Sequence, residues 1–375
     1  MFHVRSNNQK TRILIDMKER KVVPTKVAYF THPTAFNLFG GAELQILKTK
    51  GHIKKTSNDF HIKFFDIFQD KLEDFSIFHN FQMSPDCLSI CKLAKTRGVK
   101  VALSPIFWTQ ANKEKITLKN QLAKLRNAYQ GLTEYGFLTF QTLKPYKDFL
   151  DLANIILPNS EMEASFISSA FRIERKKFHV VPNGVEKSFS CAKPDLFVQE
   201  YGLKDFILYV GRIEPKKNVI NLLHACKNLG APVVIIGQKN LLHADYCELF
   251  EKMIASNRNF KYLGFLPFDS EILASAYAAA KVFVMPSWFE TPSLSALEAG
   301  LAGCNIVITI GGSTSEYFKG LVRYVDPRST KNIKKEISES LEEPKTTALR
   351  QLILNSYTWD IVAEKTIEAY NMISG

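Results

Sequence analysis

Cysteine is scarce in this chain, with six among 375 residues: Cys87, Cys91, Cys191, Cys226, Cys247 and Cys304. They are scattered and set mostly in apolar or helical context, so reduced, buried thiols are expected and a disulfide framework is not. Cys87 and Cys91 lie four apart on an expected helix, but no second pair completes a zinc site. No apolar run approaches the roughly 18 residues of a membrane-spanning helix. The opening Met1-Phe2-His3-Val4-Arg5-Ser6-Asn7-Asn8 lacks a signal-peptide core, so a soluble, cytoplasmic protein is expected. Acidic residues are also in deficit, 37 Asp and Glu against 49 Lys and Arg, for a net charge of +12. Such an excess asks for an anionic partner. Zinc-finger spacing, RNP aromatics and a basic zipper are all missing, which turns the expectation from nucleic acid to lipid or diphosphate ligands.

What is present is a globular composition, 46% hydrophobic and 23% charged, at a length that suits two domains. Apolar runs alternate with amphipathic ones, the pattern of parallel sheets wrapped by helices. The first half offers strands at Lys26–Phe30, Ile62–Phe65, Ser76–Phe78, Val99–Leu103, Ile155–Leu157 and Val180–Val181. The second offers Phe206–Val210, Pro232–Ile236, Phe260–Tyr262, Val282–Met285, Ile306–Thr309 and Leu321–Tyr324. Pro182-Asn183-Gly184-Val185-Glu186 and the polar stretch after it separate the two sets. The expected division is an N-terminal domain over 1–186, a C-terminal domain over 187–355 and a final helical segment over 356–375. In that last segment Trp359, Val362, Ala363, Ile367, Tyr370 and Ile373 recur at helical spacing.

The most informative stretch is Pro286-Ser287-Trp288-Phe289-Glu290-Thr291-Pro292-Ser293-Leu294-Ser295-Ala296-Leu297-Glu298-Ala299-Gly300. It follows an apolar run expected to be a buried strand. Thr291 suits an N-cap and Pro292 the first helical position, so the segment predicts a loop and then a helix N-terminus able to hold a phosphate. Glu290 and Glu298 bracket that anion site, roughly 10 Å apart along the axis at about 1.5 Å per residue. Carboxylates beside a phosphate repel it unless they accept hydrogen bonds from hydroxyls. A ligand with sugar hydroxyls on both sides of a diphosphate, a nucleotide sugar, fits this arrangement. The segment resembles the glutamate–seven residues–glutamate motif of retaining glycosyltransferases of family 4.

A second stretch, Val210-Gly211-Arg212-Ile213-Glu214-Pro215-Lys216-Lys217-Asn218, ends a strand and presents cations before a helix. In open parallel sheets ligands bind beyond the carboxyl ends of strands, which places Arg212 and Lys217 beside a diphosphate. Cations fixed there stabilise charge that grows on the leaving phosphate. A basic first turn also opposes the helix dipole, which argues for an anion nearby. The pair is similar to the family's Arg and Lys five positions apart. The chain has no Asp-x-Asp, which favours stabilisation by protein cations over a chelated metal.

In Asn37-Leu38-Phe39-Gly40-Gly41-Ala42-Glu43, paired glycines after the first strand let backbone amides approach an oxyanion. The loop is similar to the family's Gly-Gly-x-Glu loop. Gln45 and Ile46 stand where a dinucleotide fingerprint would need its third glycine, which disfavours a nicotinamide-dependent oxidoreductase. His79 is expected at a strand's carboxyl end facing the cleft, with a structural role as the alternative. In Ser104-Pro105-Ile106-Phe107-Trp108-Thr109, where many relatives carry a sugar-contacting histidine, Trp108 is expected either to stack on a sugar or to pack beneath the loop. Ser293 replaces a usual glycine and is expected to narrow the donor pocket. Gly311-Gly312-Ser313-Thr314-Ser315-Glu316 resembles the family's loop near the nucleotide. Leu118, Leu122, Leu125 and Tyr129, among Lys113, Lys115, Lys119, Lys124 and Arg126, form a basic amphipathic pattern that suits an anionic membrane surface or packing on the protein's own domain.

The resemblance implies a GT-B architecture: α/β, two facing Rossmann-like domains with an interdomain cleft. It implies retaining, metal-independent transfer from a nucleotide sugar, UDP- or GDP-linked, to a saccharide or lipid-linked glycan, with no separate cofactor and no nucleic acid. Arg212, Lys217 and Glu290 would carry the chemistry. Gly40, Gly41, Gly211, Ser293, Leu294 and Glu298 would bind the donor, Glu298 through the ribose, and His79 and Trp108 are candidate sugar or acceptor contacts. A nucleotide-sugar epimerase or hydrolase on the same fold and a non-enzymatic membrane-associated scaffold are the alternatives.

Overall fold

The computed structural model describes residues 24–107 and 140–374. Trp108 and the Leu118–Tyr129 pattern lie outside the described residues. Two parallel sheets organise the rest. The first contains β1 (Thr25–Phe30), β2 (Phe60–Phe64), β3 (Ile77–Phe81), β4 (Lys100–Ser104) and β5 (Ile155–Ile156), in the order β2-β1-β3-β4-β5. The second contains β6 (Ile207–Val210), β7 (Val233–Ile236), β8 (Phe260–Tyr262), β9 (Val282–Met285), β10 (Asn305–Thr309) and β11 (Arg323–Val325), in the order β11-β10-β9-β6-β7-β8. Every strand pair is parallel, which requires helical crossovers and covers both sheet faces. That is why β7 and β9 read as unbroken apolar runs, all four residues of each being buried.

The crossovers are α1 (Gly41–Thr56), α2 (Leu88–Thr96), α3 (Phe140–Leu152), α4 (Glu161–Phe171), α5 (Asp195–Tyr201), α6 (Val219–Cys226), α7 (Ala244–Ala255), α8 (Glu271–Ala279), α9 (Leu294–Ala302), α10 (Thr314–Phe318), α11 (Thr330–Glu342), α12 (Ala348–Ser356) and α13 (Trp359–Ser374). The α/β, two-sheet expectation holds, with shifts at strand ends. β3 runs on to Phe81 because β4 pairs with it as far as Ser104. Val180–Val181 forms no strand: only Phe178 bridges β5, and the Val181 N–H bonds instead to the Pro158 carbonyl. Among the described residues no helix is long and apolar enough to cross a membrane.

The chain crosses between sheets at Pro182–Glu186 and returns along α13. A Cβ on Gly184 would lie 2.8 Å from the Trp359 nitrogen, so only glycine lets the outgoing and returning strands touch. Val185 bridges Thr358, and α13 then packs on α1 and the first sheet. Polar ties fix this seam: His52 Nδ1 to Asp360 at 2.7 Å, Lys187 to Asp360 at 2.6 Å, and Lys48 to Glu186 at 2.6 Å.

Candidate active site

In the second sheet the chain winds outward from β6 through β8, then restarts at β9 on the other side of β6. The crevice beyond the carboxyl ends of β6 and β9 is therefore a topological switch point, where open sheets of this kind bind ligands. The loops leaving these two strands are Gly211–Asn218 and Pro286–Ser293, the stretches singled out from sequence.

They are stitched together. The Trp288 N–H donates to the Lys216 carbonyl at 3.1 Å. Asn218, buried and left-handed at φ 58°, donates from Nδ2 to the carbonyls of Pro286 and Pro327, each at 2.9 Å. Lys217 Nζ meets Glu290 Oε1 at 2.7 Å, with Glu290 buried and Lys217 mostly so. Arg212 is 41% exposed at the mouth, its guanidinium 3.3 Å from the buried Glu214. Lys216 points elsewhere, over the Phe289 ring at 4.5 Å. Burial lowers its pKa, and the charge of Lys217 pushes the same way. Gly211 is tightly enclosed, since a Cβ there would meet Tyr209 Oη at 3.1 Å. Gly237 matters as much: a Cβ on it would fall 1.9 Å from the Gly211 carbonyl.

The helix after β9 begins later than expected. Ser293 is the N-cap, its hydroxyl accepting from the Ala296 N–H at 3.3 Å, and the helix opens at Leu294. Pro292 is not its first residue, and the Thr291–Pro292 peptide is cis. Thr291 cannot act as the cap because its carbonyl is turned to the other domain, where Asn183 Nδ2 reaches it at 2.9 Å. Ser293 sits at φ 94°, a region that favours glycine. This accounts for the glycine usual at that position in the family the segment resembles. The serine hydroxymethyl serves as a cap, a use the sequence reading did not assign to it.

Glu290 is also gripped through its backbone. Its N–H donates to Gly311 and its carbonyl accepts from Ser313. A Cβ on Gly312, at φ 94°, would lie 1.9 Å from the Glu290 carbonyl, so the Gly311–Gly312 pair exists to let these loops touch. Glu316 turns away, its carboxylate accepting from the N–H groups of Glu161 and Met162, each at 2.9 Å, which caps α4 of the first domain.

With the later start, Glu298 lies about one and a half turns into α9, not nearly two. It is buried, accepts from Tyr277 Oη at 2.7 Å, and reaches the wall of an interdomain cleft of about 740 Å³. Leu44, Lys48, Phe189, Phe268 and Trp359 share that wall. Burial raises the Glu298 pKa to about 7, against the opposing pull of the Tyr277 hydroxyl and the Lys48 charge.

Across the cleft, Gly40 is the N-cap of α1 and its N–H is held by Glu43 Oε2 at 2.8 Å. That amide is thus taken, which leaves the next amides of the turn to face a ligand. A Cβ on Gly41 would stand 3.5 Å from the Leu294 side chain, so the α1 and α9 N-termini approach each other.

His79 does not face the cleft. It sits in mid-strand on the face toward α13, with Nδ1 on Tyr370 Oη at 2.7 Å, Nε2 on Ser104 Oγ at 2.9 Å, and its ring stacked on Phe81. Burial drives its pKa down to about 3. Because β3 runs to Phe81, alternation puts His79 with Ile77 and Phe81 in the core.

Residues the sequence reading missed are Asn159, Asn183, Asn218 and Tyr277. Each is a polar side chain buried next to a loop or helix of the site, and a single sequence carries no signal for such pairings.

Residues 197–359 match the family model described as Glycosyl transferases group 1. The O-antigen chain mannosyltransferase B of Escherichia coli is 27% identical over 61% of this chain and 64% of its own length. A D-inositol 3-phosphate glycosyltransferase of Mycolicibacterium smegmatis is 32% identical over 44% of this chain and 39% of its own. The chain thus spans less than two thirds of these relatives. Among solved structures, a sucrose-phosphate synthase from Thermosynechococcus elongatus superposes with a TM-score of 0.73 at 15% identity, covering 93% of this chain and 99% of that one. Anabaena HepE in complex with UDP gives 0.67 at 14% identity, covering 93% and 100%. Residues 197–359 belong to the glycosyl transferases group 1 family, within a chain of GT-B architecture.

Proposed function

We propose that this chain is a retaining, metal-independent glycosyltransferase of the family 4 type, which moves a sugar from a nucleotide sugar to a saccharide or lipid-linked glycan. The observation that carries the reading is the Lys217–Glu290 pair at the switch point, 2.7 Å apart, in loops whose following helix α9 starts beside the α1 N-terminus. Arg212, Lys217 and the α9 N-terminus would hold the diphosphate, Glu298 the ribose hydroxyls and Glu290 the sugar hydroxyls. The names of relatives support a glycan acceptor, and HepE supports a UDP-type donor, a GDP-linked sugar being the alternative.

In the reaction the anomeric carbon–phosphate oxygen bond breaks, and the acceptor oxygen bonds to the same face of the sugar. The acceptor proton passes to the leaving phosphate oxygen, so no side-chain base is required. Arg212 and Lys217 stabilise the charge that arrives on that phosphate. A lipid-linked acceptor would be met at an anionic cytoplasmic membrane face, which the net charge of +12 favours.

The first test is thermal shift with UDP-, GDP- and ADP-linked sugars. A true donor at about a hundred times its Kd stabilises by about 2.7 kcal/mol. With that donor, product analysis separates transfer from epimerisation or hydrolysis. A folded chain that none of these ligands stabilises would overturn the reading.

A further inference from the structure

The loop carrying Glu290 is not held by its own domain alone. As far as Glu290 it is fixed from within, by Gly311, Ser313 and Lys217. From Ser293 onward it is fixed by the helix cap. Between them stand Thr291 and Pro292. Among the described residues, the Thr291 carbonyl accepts only from the N-terminal side of the molecule: Asn183 Nδ2 at 2.9 Å and Asn159 Nδ2 at 3.4 Å.

Both asparagines are buried, and the Oδ1 atom of each has no hydrogen-bond partner among the described residues. Their amides therefore stay in the interior with one described side-chain bond apiece, and that bond is to Thr291. Burying an amide with its oxygen unpaired is unfavourable, which makes a retained pair of them informative. The pair is itself aligned from the C-terminal domain. Tyr317 Oη donates to the Asn159 carbonyl and accepts from the Asn183 N–H at 2.8 Å, while Glu316 caps α4 just beyond Asn159.

We propose that Asn159 and Asn183 are positioning residues, whose amides seize the Thr291 carbonyl when the two domains dock and so set the Glu290 loop for the donor sugar. The proposal rests on the glycosyltransferase reading for its ligand, and on geometry alone for the latch. Its consequence is that contact with the sugar depends on domain docking, whereas contact with the diphosphate, made by Arg212 and Lys217 within one domain, does not.

The test compares the full-length chain with N159A, N183A and the double variant. Hydrogen exchange is followed by mass spectrometry without ligand, and calorimetry uses UDP, GDP and ADP and the corresponding nucleotide sugars. Exchange should speed up in peptides spanning 286–297 and stay unchanged in β6–β8. Affinity for the nucleotide sugar should fall about five-fold or more relative to the matching nucleoside diphosphate. A general loss of fold would lower both affinities together, and N159A, with the longer contact, provides the milder variant. Unchanged exchange in 286–297 would overturn the latch. Faster exchange with an unchanged affinity ratio would overturn its role toward the sugar. If the parent chain binds none of these ligands, the glycosyltransferase reading fails separately, and exchange alone decides whether the amides hold the loop.

Discussion

Each domain buries a glutamate whose pKa is raised to about 7 mainly by burial, Glu163 in the first and Glu298 in the second. Their surroundings differ. Glu163 on α4 has both oxygens engaged by main-chain N–H groups, Phe107 at 2.6 Å and Asn159 at 2.8 Å, and does not line the 740 Å³ cleft. Glu298 has one oxygen on Tyr277 and lines the 740 Å³ cleft. A raised pKa alone does not distinguish a carboxyl that ties loops together from one that can meet a ligand. The number of occupied oxygens does.

The same contrast runs through the charged groups, and the largest expected effect lies in the second domain. Arg212→Ala should slow sugar transfer by about 10²–10³-fold with an unchanged melting temperature, because it removes one fixed cation from the developing phosphate charge. Steady-state kinetics with the identified donor checks this, and near-normal turnover would break the assignment.

Glu163→Ala should act on the fold instead. It strands two N–H groups at about 1–3 kcal/mol each, for a loss of about 2–6 kcal/mol by denaturant titration. Glu298→Gln keeps an acceptor for Tyr277 and cannot ionise, so stability should match the parent near pH 4.5 and exceed it towards neutrality. Nucleotide affinity should drop by about 1.5 kcal/mol or more as a charged hydrogen bond is lost. Equal effects of the two changes on melting and binding would erase the comparison.

The pH dependence follows from the sign of both shifts. A carboxyl whose folded pKa lies above its unfolded value binds more protons when folded. Its contribution to stability is full below about 4.5 and is lost as pH rises towards 7. Each group should lower stability by up to about 1.4 kcal/mol per pH unit in that window. Glu298→Gln should flatten the slope by one group's share, visible in denaturant midpoints taken from pH 5 to 7.

Ser293→Gly is expected to do least. It relieves a left-handed serine, worth about 1 kcal/mol, and gives up a cap worth a few tenths relative to glycine. A rise of a few degrees or less in melting temperature is the expected result.

Legibility in the sequence divided along the same line. In the second domain both loops of the candidate site follow apolar runs that read as buried strands, β6 and β9. Local pattern sufficed there. The start of α9 was misplaced because Thr291-Pro292 reads as a cap from within, while what diverts it is Asn183, distant in sequence. His79 was misplaced because three extra residues of β3 carry it into the core, an extension that only pairing with β4 reveals. Tertiary partners, not propensity, decided both.

The return of α13 has a consequence in time. His79 and Tyr370 are 291 residues apart and share one buried hydrogen bond, and Tyr29 completes the chain through Tyr370. At about 5–20 residues per second, a ribosome takes roughly a quarter to a full minute to travel between them. Until then the first sheet shows the nascent chain's surroundings an unfinished apolar face. The domain synthesised first is therefore among the last parts of the molecule to be completed, and a chain stopped before Trp359 would leave it open for good.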